Sequence, residues 1–559
     1  MEMTGRNQDA TWSDVTENAA IGTSEAHTTP PLENQKYYEV EHHGGVEDPN
    51  EYYPGGFHPV LLGDYLGNNN RFRVINKLGA GAYGTVWLCS DRTTGKWRAV
   101  KIFSAKVSRS TADIDPHELP DHRTTAMADM VISKHLAQWY QPDDPALKKH
   151  HIGIPLEYFW IHGPNGNHLC HVSPLYGPTI EHLHDLYSPC PSFLKEIAYQ
   201  LVDSMAFLHQ HGICHGDFRP ANIMFRLLSG VDEWPEEKMV KLYGKPSTVR
   251  VHAVDEEGQW DFEVESNVPP YLIQSANFNL ASGACSNDIA VIDFGMAYFL
   301  DNPPTSCAIP FELSSPEGIF TNGRLGWPAD IWALACTLLM TVAGSYPFGD
   351  EDPESTPWLV VEDMERLMGP MPLRYRPLLT TCVSAGRQLS EQQMSDPSRY
   401  ATFNRQEPQA SIFHDNRDII RNRIFVNHMI PWSSEEYEEL AKQDKIWSET
   451  GRLPKYIKPA GIEGETIWRP SPLHDREDGE GLVDLLVSIF KWEPTERATA
   501  RRLLAHSWFE SRQSRSSGSQ PAVQQGWSYL AMGKGLVWVL GGLFLGMLSF
   551  RLRKRLLGN

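Results

Sequence analysis

Two short runs of residues carry the side chains best suited to chemistry. Residues 215–222 read His-Gly-Asp-Phe-Arg-Pro-Ala-Asn, and residues 293–295, which begin 71 positions beyond Asn222, read Asp-Phe-Gly. An aspartate five residues before an asparagine can accept a hydroxyl proton, while the asparagine and a second aspartate hold Mg²⁺ on a nucleotide. We therefore expect phosphoryl transfer from ATP, with Asp217 as the base and with Asn222 and Asp293 as ligands of Mg²⁺.

Arg219 lies inside the first run. We expect its guanidinium to neutralise the transferring phosphoryl group. An Asx-rich turn before a strand is the alternative for the whole set, but such a turn does not account for all the spacings together.

A glycine-rich run lies far upstream of these residues. Residues 79–86 follow the pattern Gly-x-Gly-x-x-Gly-x-Val, in which glycine lets main-chain N–H groups approach a phosphate closely. The run lies between two strand-like segments and not before a helix, which argues against a dinucleotide site. Lys101 follows at a distance that suits a hairpin returning beneath the loop, with its ammonium on the α- and β-phosphates. We expect ATP to contact Gly79, Ala80, Gly81, Ala82, Tyr83, Gly84, Val86 and Lys101.

The rest of the sequence supplies the elements that must position these residues. Residues 71–103 alternate in short β-rich runs, residues 126–140 have helical spacing, and residues 193–210 predict a helix that ends just before the catalytic loop. Residues 226–290 are acidic and show little periodicity, so we interpret them as an insertion. Two further stretches are apolar with helical spacing: 328–345 and 484–509.

Composition bounds the class of protein. The 559 residues carry a net charge of −20 and 41% apolar side chains, which is ample for a buried core. The charge argues against direct binding of nucleic acid and favours a basic substrate, although an acidic protein surface alone also explains it. The eight cysteines form no Cys-x-x-Cys pair, which indicates reduced thiols in the cytosol or nucleus.

The two ends of the chain differ from its centre. Residues 1–50 are acidic with few large aliphatic side chains, and we expect a disordered tail. Residues 535–550 carry no charge, and 527–550 predict a transmembrane helix between a flexible linker at 510–526 and a basic tail at 551–559. We therefore predict membrane anchoring with the catalytic domain in the cytosol. A buried or surface-lying helix, in a protein of the cytoplasm and nucleus, is the alternative.

Further motifs resemble those of eukaryotic protein kinases. Residues 315–317, Ser-Pro-Glu, resemble the end of the activation segment, and residues 330–332, Asp-Ile-Trp, resemble the start of the helix that supports the catalytic loop. Arg497 resembles the arginine that pairs with the glutamate of the first motif, here Glu317. The resemblance implies that this buried ion pair locks the segment to the large lobe.

Within that family the chain resembles the SR-protein kinases, which phosphorylate serines in Arg-Ser repeats. Residues 53–64 are similar to the segment before their small lobe, residues 163–170 to their hairpin before the hinge, and residues 328–336 to their supporting helix. These kinases also carry a spacer between the catalytic loop and Asp-Phe-Gly, where residues 226–290 lie. The resemblance implies ATP and Mg²⁺ as cofactors and an Arg/Ser-rich protein as the substrate.

The implied fold class is α+β, a two-lobed protein kinase with a β-rich small lobe, a helical large lobe, a spacer insertion and a C-terminal apolar helix. We expect an N-terminal extension at 51–70 and a kinase domain at 71–509, with the small lobe at about 71–173, the large lobe at about 178–509 and the spacer at 226–290. The implied activity is that of a serine/threonine protein kinase. A weakly active or inactive scaffold is one alternative. A small-molecule phosphotransferase is another, although such enzymes lack the Ser-Pro-Glu motif.

Several positions depart from the usual kinase pattern. Gly216 replaces the arginine that holds an activation-loop phosphate in many kinases, so we expect activity without such a phosphate. Arg219 replaces the usual lysine with a bulkier, forked cation. Asp129 is the best-aligned helix partner for Lys101 but is one methylene shorter than the usual glutamate, and Glu118 is the other candidate.

Two departures concern the edges of the site. Pro310 lies where a threonine usually contacts the catalytic base. Ser173 takes the gatekeeper position in the ATP site and Pro174 begins the hinge, which predicts a roomier adenine pocket.

An acidic cluster follows the supporting helix, formed by Asp350, Glu351, Asp352, Glu354, Glu362, Asp363 and Glu365. In the SR-protein kinases the corresponding region binds arginine-rich substrate. Several carboxylates on one face attract guanidinium groups, which is consistent with that use. A solvated acidic loop is the alternative.

Overall fold

The structure of the chain is a computed structural model. It describes residues 37–41, 44–108, 125–183, 190–254, 259–261, 264–279, 282–304, 309–320, 325–343, 347–348, 357–375, 417, 420–421, 434–450 and 476–510. The strands in these ranges are β1 (Tyr37–Val40), β2 (Tyr65–Leu66), β3 (Phe72–Gly81), β4 (Gly84–Asp91), β5 (Trp97–Phe103), β6 (Glu157–Gly163), β7 (Gly166–Pro174), β8 (Tyr176–Thr179), β9 (Ile213–Cys214), β10 (Ile223–Leu227), β11 (Thr248–Val254), β12 (Trp260–Asp261), β13 (Tyr271–Ile273), β14 (Cys285–Val291) and β15 (Tyr298–Phe299). The α-helices are α1 (Thr125–Leu136), α2 (Pro145–Lys149), α3 (Pro191–Gln210), α4 (Glu236–Tyr243), α5 (Pro316–Phe320), α6 (Trp327–Ala343), α7 (Pro357–Met368), α8 (Ser434–Thr450), α9 (Arg476–Val487) and α10 (Ala500–Leu504).

The small lobe is built on one antiparallel sheet of six strands, in the order β2-β3-β4-β5-β7-β6. The sheet buries an apolar cluster that includes Phe72, Trp87, Val100 and Val172. Each such side chain contributes roughly 1.5–3 kcal/mol when it leaves water. The β3–β4 turn carries the glycine-rich run, and β5 returns beside β4, so Lys101 lies in the strand next to that run.

The large lobe is helical and packs around α3. Pro191 opens this helix, where its missing N–H removes no helical hydrogen bond. Leu194, Leu201 and Leu208 recur every seven residues along one face and are fully buried. The helix packs against α6, α8 and α10. This core fixes the supporting helix α6, whose N-terminal end lies beneath the catalytic loop.

The insertion at 226–290 is ordered in its described part, and the N-terminal segment joins it. β11 pairs with β12 and β13 of the insertion and also with β1, with Tyr37 opposite Val254. Four of the side chains in the shared apolar cluster are Val40, Phe57, Val251 and Leu272. Residues 37–41 and 44–50 thus form structure where we predicted a disordered tail, because the apolar side chains of β1 find their partners about 200 residues further along the chain.

The insertion also bonds to the small lobe and to the strand that joins the lobes. Trp97 of β5 donates its indole N–H to the backbone oxygen of Trp234 at 2.6 Å. The hydroxyl of Tyr243 donates to the backbone oxygen of Tyr176 at 2.7 Å. The spacer is therefore hydrogen-bonded to the small lobe through β5 and to β8, which follows the last small-lobe strand.

The prediction of a membrane location is wrong. Throughout the described ranges, no helix is both long and apolar enough to cross a bilayer. The longest, α3, carries Lys195, Glu196 and Asp203 and buries its apolar side in the large lobe. The segment chosen for the anchor, 527–550, lies outside the described residues, as do the linker and the basic tail. The prediction rested on hydropathy and on the flanking linker and basic residues.

We predict that the cluster shared by β1 and the insertion contributes to stability. Leu272 is only 2% exposed, and Leu272→Ala should lower the unfolding free energy of the chain by about 2–5 kcal/mol. Leu228, also in the insertion but 45% exposed, is the matched control, and Leu228→Ala should stay within about 0.5 kcal/mol of the unchanged chain. Urea unfolding followed by tryptophan fluorescence measures both. Equal losses for the two variants would show that the cluster does not hold the insertion to the fold.

Candidate active site

The catalytic loop is held from below by Asp330, near the N-terminal end of α6. Its carboxylate accepts the backbone N–H of His215 at 2.7 Å and that of Gly216 at 3.0 Å, and His209 Nε2 lies 3.2 Å away. Burial raises the pKa of Asp330, but these hydrogen bonds and the neighbouring histidines outweigh it and lower the pKa. The loop is thus fixed through its backbone.

Gly216 has a steric reason to be glycine. Its φ is +74°, and a Cβ atom there would lie 2.1 Å from the backbone oxygen of Met296. No larger residue fits without moving that segment. The position that carries an arginine in many kinases is therefore filled here by a close contact between two backbone segments.

Asp217 lies at the centre of a small polar network. Arg219 Nε is 3.1 Å from the carboxylate, and Asn222 Nδ2 donates to Asp217 Oδ2 at 2.7 Å and to its backbone oxygen at 2.9 Å. Thr337 of α6 donates to the backbone oxygen of Phe218 at 3.1 Å. The structure therefore brings the predicted base and two of its predicted partners together on one rigid loop.

Asp293 lies just after β14, in the strand pair next to the catalytic loop. β10 begins directly after Asn222 and pairs with β14, and the N–H of Ile292 donates to the backbone oxygen of Asn222 at 2.9 Å. Asp293 itself has φ +62°, an unfavourable conformation that its side chain supports by accepting from Gly295 N at 3.3 Å. The two predicted ligands of Mg²⁺ thus lie at the same end of two paired strands.

Lys101 bonds to Asp293 and not to the helix. Its Nζ lies 2.7 Å from Asp293 Oδ2. Burial raises the pKa of Asp293, but the charge and hydrogen bond of Lys101 exceed that effect and bring the pKa down to about 2. Asp129, which we predicted as the partner of Lys101, instead lies 2.7 Å from His171 Nδ1, and its side chain is one methylene shorter than the usual glutamate. Glu118 lies outside the described residues.

The glycine-rich run leaves room for a phosphate. The register pairs Gly81 with Gly84 across the turn formed by Ala82 and Tyr83. A Cβ at Gly84 would lie 2.2 Å from the backbone oxygen of Ile102, so glycine is required there by the protein itself. A Cβ at Gly79 or at Gly81 would meet nothing within 4 Å. These two glycines therefore leave open space, which suits close approach of a bound nucleotide.

The remaining predicted ATP contacts lie on three adjacent strands. Val86 of β4 is opposite Lys101 of β5, and Ser173 of β7 is opposite Ala99 of β5. Ala80 of β3 is opposite Thr85 of β4, one position before the pair that closes the turn. The sheet thus presents the loop, the lysine and the gatekeeper position along neighbouring strands.

Glu317 and Arg497 form the expected kind of buried pair. Two nitrogens of the guanidinium each lie 2.7 Å from a carboxylate oxygen of Glu317. Arg497 also donates to the backbone oxygens of Lys491 and Pro328, at 3.1 and 2.9 Å, and lies over the ring of Trp332. Four of its five N–H groups thus have partners, and the side chain ties α5 to α6 and to the segment before α10.

Part of the predicted acidic cluster lies outside the described residues, namely 350–354. In α7, Glu362 and Asp363 pair with Arg366, and Glu365 accepts the N–H of Met371 at 2.8 Å. These carboxylates therefore already have partners within the chain.

Sequence reasoning missed His171 and His209. Each contacts an acidic residue of the site's framework, Asp129 and Asp330 respectively. His171 lies two residues before Ser173 and so on the same face of β7. That spacing could have placed His171 on the face of the predicted site, but it does not identify Asp129 as its partner.

Comparisons with known proteins agree with this geometry. The family model described as protein kinase domain matches residues 72–242 and 274–509. Its gap, 243–273, is the part of the insertion that contains β11, β12 and β13. The match thus spans most of the chain and both lobes.

Curated relatives are similar over shorter stretches. Protein kinase dsk1 of Schizosaccharomyces pombe is 34% identical over 183 residues, which is 32% of this chain and 30% of that protein. SRSF protein kinase 3 of Homo sapiens is 30% identical over 205 residues, 34% of this chain and 32% of that protein. Dual specificity protein kinase lkh1 of Schizosaccharomyces pombe is 26% identical over 306 residues, 54% of this chain and 34% of that protein. The chain thus covers about a third of each relative's length.

We predict that the Glu317–Arg497 pair stabilises the large lobe. Arg497→Met leaves a mostly buried carboxylate without its partner and should cost about 3–5 kcal/mol of unfolding free energy. Arg501→Met, at an exposed arginine of the same region, is the control and should change it by less than about 0.5 kcal/mol. Adding Glu317→Gln to Arg497→Met should recover part of the loss. Chemical denaturation measures the unfolding free energy of each variant. A double variant less stable than Arg497→Met would contradict the pairing.

Proposed function

Because the chain belongs to the protein kinase family, we propose that it transfers the γ-phosphate of ATP to serine or threonine hydroxyls of proteins. The observation that carries this proposal is the joint position of three groups: Asp217 and Asn222 on one rigid loop, and Asp293 at the end of the strand pair beside it. Glu317 and Arg497 argue against a small-molecule phosphotransferase, because an activation segment tied to the large lobe is a feature of protein kinases. The same pair is buried and bidentate here.

Each residue has a defined part in this reaction. Asp217 orients the acceptor hydroxyl and takes its proton, with the carboxylate held by Asn222 and Arg219. Lys101 supplies positive charge to the phosphates from the strand beside the glycine-rich run. Gly79 and Gly81 leave space for the phosphates and their backbone N–H groups cover the charge. Arg219 lies 3.1 Å from the Asp217 carboxylate and neutralises the group in transfer.

The residues present suit a hard divalent cation such as Mg²⁺. Asp293 keeps an ionised carboxylate, since its pKa is about 2, and the Asn222 amide uses only its Nδ2 group in the bonds to Asp217, so Oδ1 takes no part in them. Asn222 and Asp293 are the side chains that would hold the ion. Bound Mg²⁺ would offset negative charge on the nucleotide phosphates.

We propose Arg/Ser-rich proteins as the substrates. The support is the net charge of −20, which favours a basic partner, and the similarity to a relative named SRSF protein kinase 3. A weakly active or inactive scaffold is the second candidate. The bond of Lys101 to Asp293 instead of to a helix carboxylate is the observation that favours it.

A transfer assay with the full chain tests the function. With labelled ATP and Mg²⁺, an Arg-Ser repeat peptide should be phosphorylated faster than the same peptide with glutamine in place of arginine. Asp217→Asn should lower kcat by about 10²–10⁴-fold because the base is lost. Asp301→Asn, at an exposed aspartate, is the control and should keep the rate. Nucleotide binding without transfer to any protein would support the scaffold, and transfer to small alcohols alone would overturn the protein-kinase proposal.

We also predict activity without a phosphate on the activation segment. Gly216 offers no side chain to bind such a phosphate and is packed against Met296. Phosphatase treatment of the purified chain, followed by removal of the phosphatase, should leave the initial rate of peptide phosphorylation unchanged. A rate that falls after treatment and returns on preincubation with ATP would contradict this expectation. Mock-treated chain is the control.

A further inference from the structure

A row of three side chains crosses the small-lobe sheet toward α1. In the register of the sheet, Lys101 of β5 is opposite His171 of β7, and His171 is opposite Tyr158 of β6. Directly opposed residues of antiparallel strands place their side chains on the same face. The row therefore reaches from the nucleotide-binding lysine to the outer strand of the lobe.

α1 meets this row with two polar side chains one helical turn apart. Asp129 lies 2.7 Å from His171 Nδ1, and the hydroxyl of Tyr158 donates to Ser133 Oγ at 3.0 Å. Asp129 and Ser133 are essentially inaccessible to solvent, and His171 is 8% exposed. The helix is thus fixed to the sheet by the second and third members of the row.

Lys101, the first member of the row, points elsewhere. It bonds to Asp293, whereas Asp129 Oδ1 is buried and has no hydrogen-bond partner within the described ranges. The imidazole of His171 takes the place of the lysine ammonium as the partner of Asp129. Its ring is held edge-to-face by Phe103 at 5.3 Å and by Tyr158 at 6.1 Å between ring centroids. Its orientation is therefore set by packing as well as by the carboxylate.

The position of α1 matters for the site because the helix packs against residues 294–296, the turn that follows Asp293. The contacts run from His171 through Asp129 and α1 to this turn, and from Asp293 back to Lys101. A shift of α1 would therefore press on the turn that follows Asp293, the residue that holds Lys101.

We propose that His171 is a positioning residue for phosphoryl transfer: it holds α1 through Asp129 and so leaves Lys101 to be held by Asp293. This rests on the proposed function, since the reaction is what the position serves. His171 does not contact the reacting groups itself. Its removal displaces the turn that carries Asp293, and a misplacement of about 1 Å in such a site can cost on the order of 100-fold in rate.

Steady-state kinetics of the full chain, with kcat and KM for ATP measured separately, test this assignment. His171→Leu removes the donor and should lower kcat by about tenfold or more, since displaced catalytic groups act on the chemical step. His171→Asn retains an N–H near the position of Nδ1 and should keep most of kcat. His168→Leu is the matched control: His168 is buried in the same strand but bonds to the backbone oxygen of Phe103, not to a carboxylate, and the variant should keep kcat.

A double-variant cycle tests the pair as a unit. Because Asp129 and His171 act only as a pair, the double variant Asp129→Leu, His171→Leu should lose no more activity than either single variant. Additive losses, an unchanged kcat in His171→Leu, or an equal loss in His168→Leu would each overturn the assignment.

Hydrogen exchange of residues 125–136 separates this proposal from the proposed function. If the unchanged chain transfers no phosphate, the proposed function fails, but the anchoring of α1 can still be measured. The amides of α1 should exchange faster in His171→Leu than in the unchanged chain or in His168→Leu. Equal exchange in all three would overturn the role of His171 whatever the activity.

Discussion

The active centre depends on one buried carboxylate. Asp330 accepts two consecutive backbone N–H groups of the catalytic loop, and neither group would find water at that depth. Leaving one such group unsatisfied costs roughly 1–3 kcal/mol, so the loop has a strong preference for this single conformation. The carboxylate also lies near the N-terminal end of α6, where the helix dipole favours negative charge. Backbone bonds therefore set the loop, and Asp330 makes no demand on the side chain of Asp217, which Arg219 and Asn222 orient.

The two lobes meet at a second charged contact, between Lys101 and Asp293. In this contact the favourable charge interaction exceeds the penalty of burial, as the lowered pKa of Asp293 shows. The small lobe contributes a cation from the middle of a sheet, and the large lobe contributes a carboxylate from a strained turn. The helix that would usually complete such a contact is instead held by a histidine. The predicted nucleotide site thus has a supporting frame in which the helix is tied to a histidine.

The catalytic groups were accessible to sequence reasoning because they lie in short loops with fixed spacing. Asp217 and Asn222 are five residues apart, so local geometry alone brings them together. The pairing of Asp129 with His171 was not accessible, since it depends on the lateral register of β5, β7 and the helix above them. The same holds for β1, whose partner strand is in the insertion. The membrane anchor was inferred from the hydropathy of 527–550 and its flanking linker and basic tail, and such local features do not determine tertiary structure.

The pairing of β1 with β11 also has a consequence for synthesis of the protein. Tyr37 leaves the ribosome about 200 residues before Val254, its partner in the sheet. At roughly 5–20 residues per second, the first strand waits on the order of 10–40 s for the strand that covers it. During that time its apolar side chains and free backbone groups are open to other strands. The sheet that contains β1 therefore closes only after all six strands of the small lobe have been made.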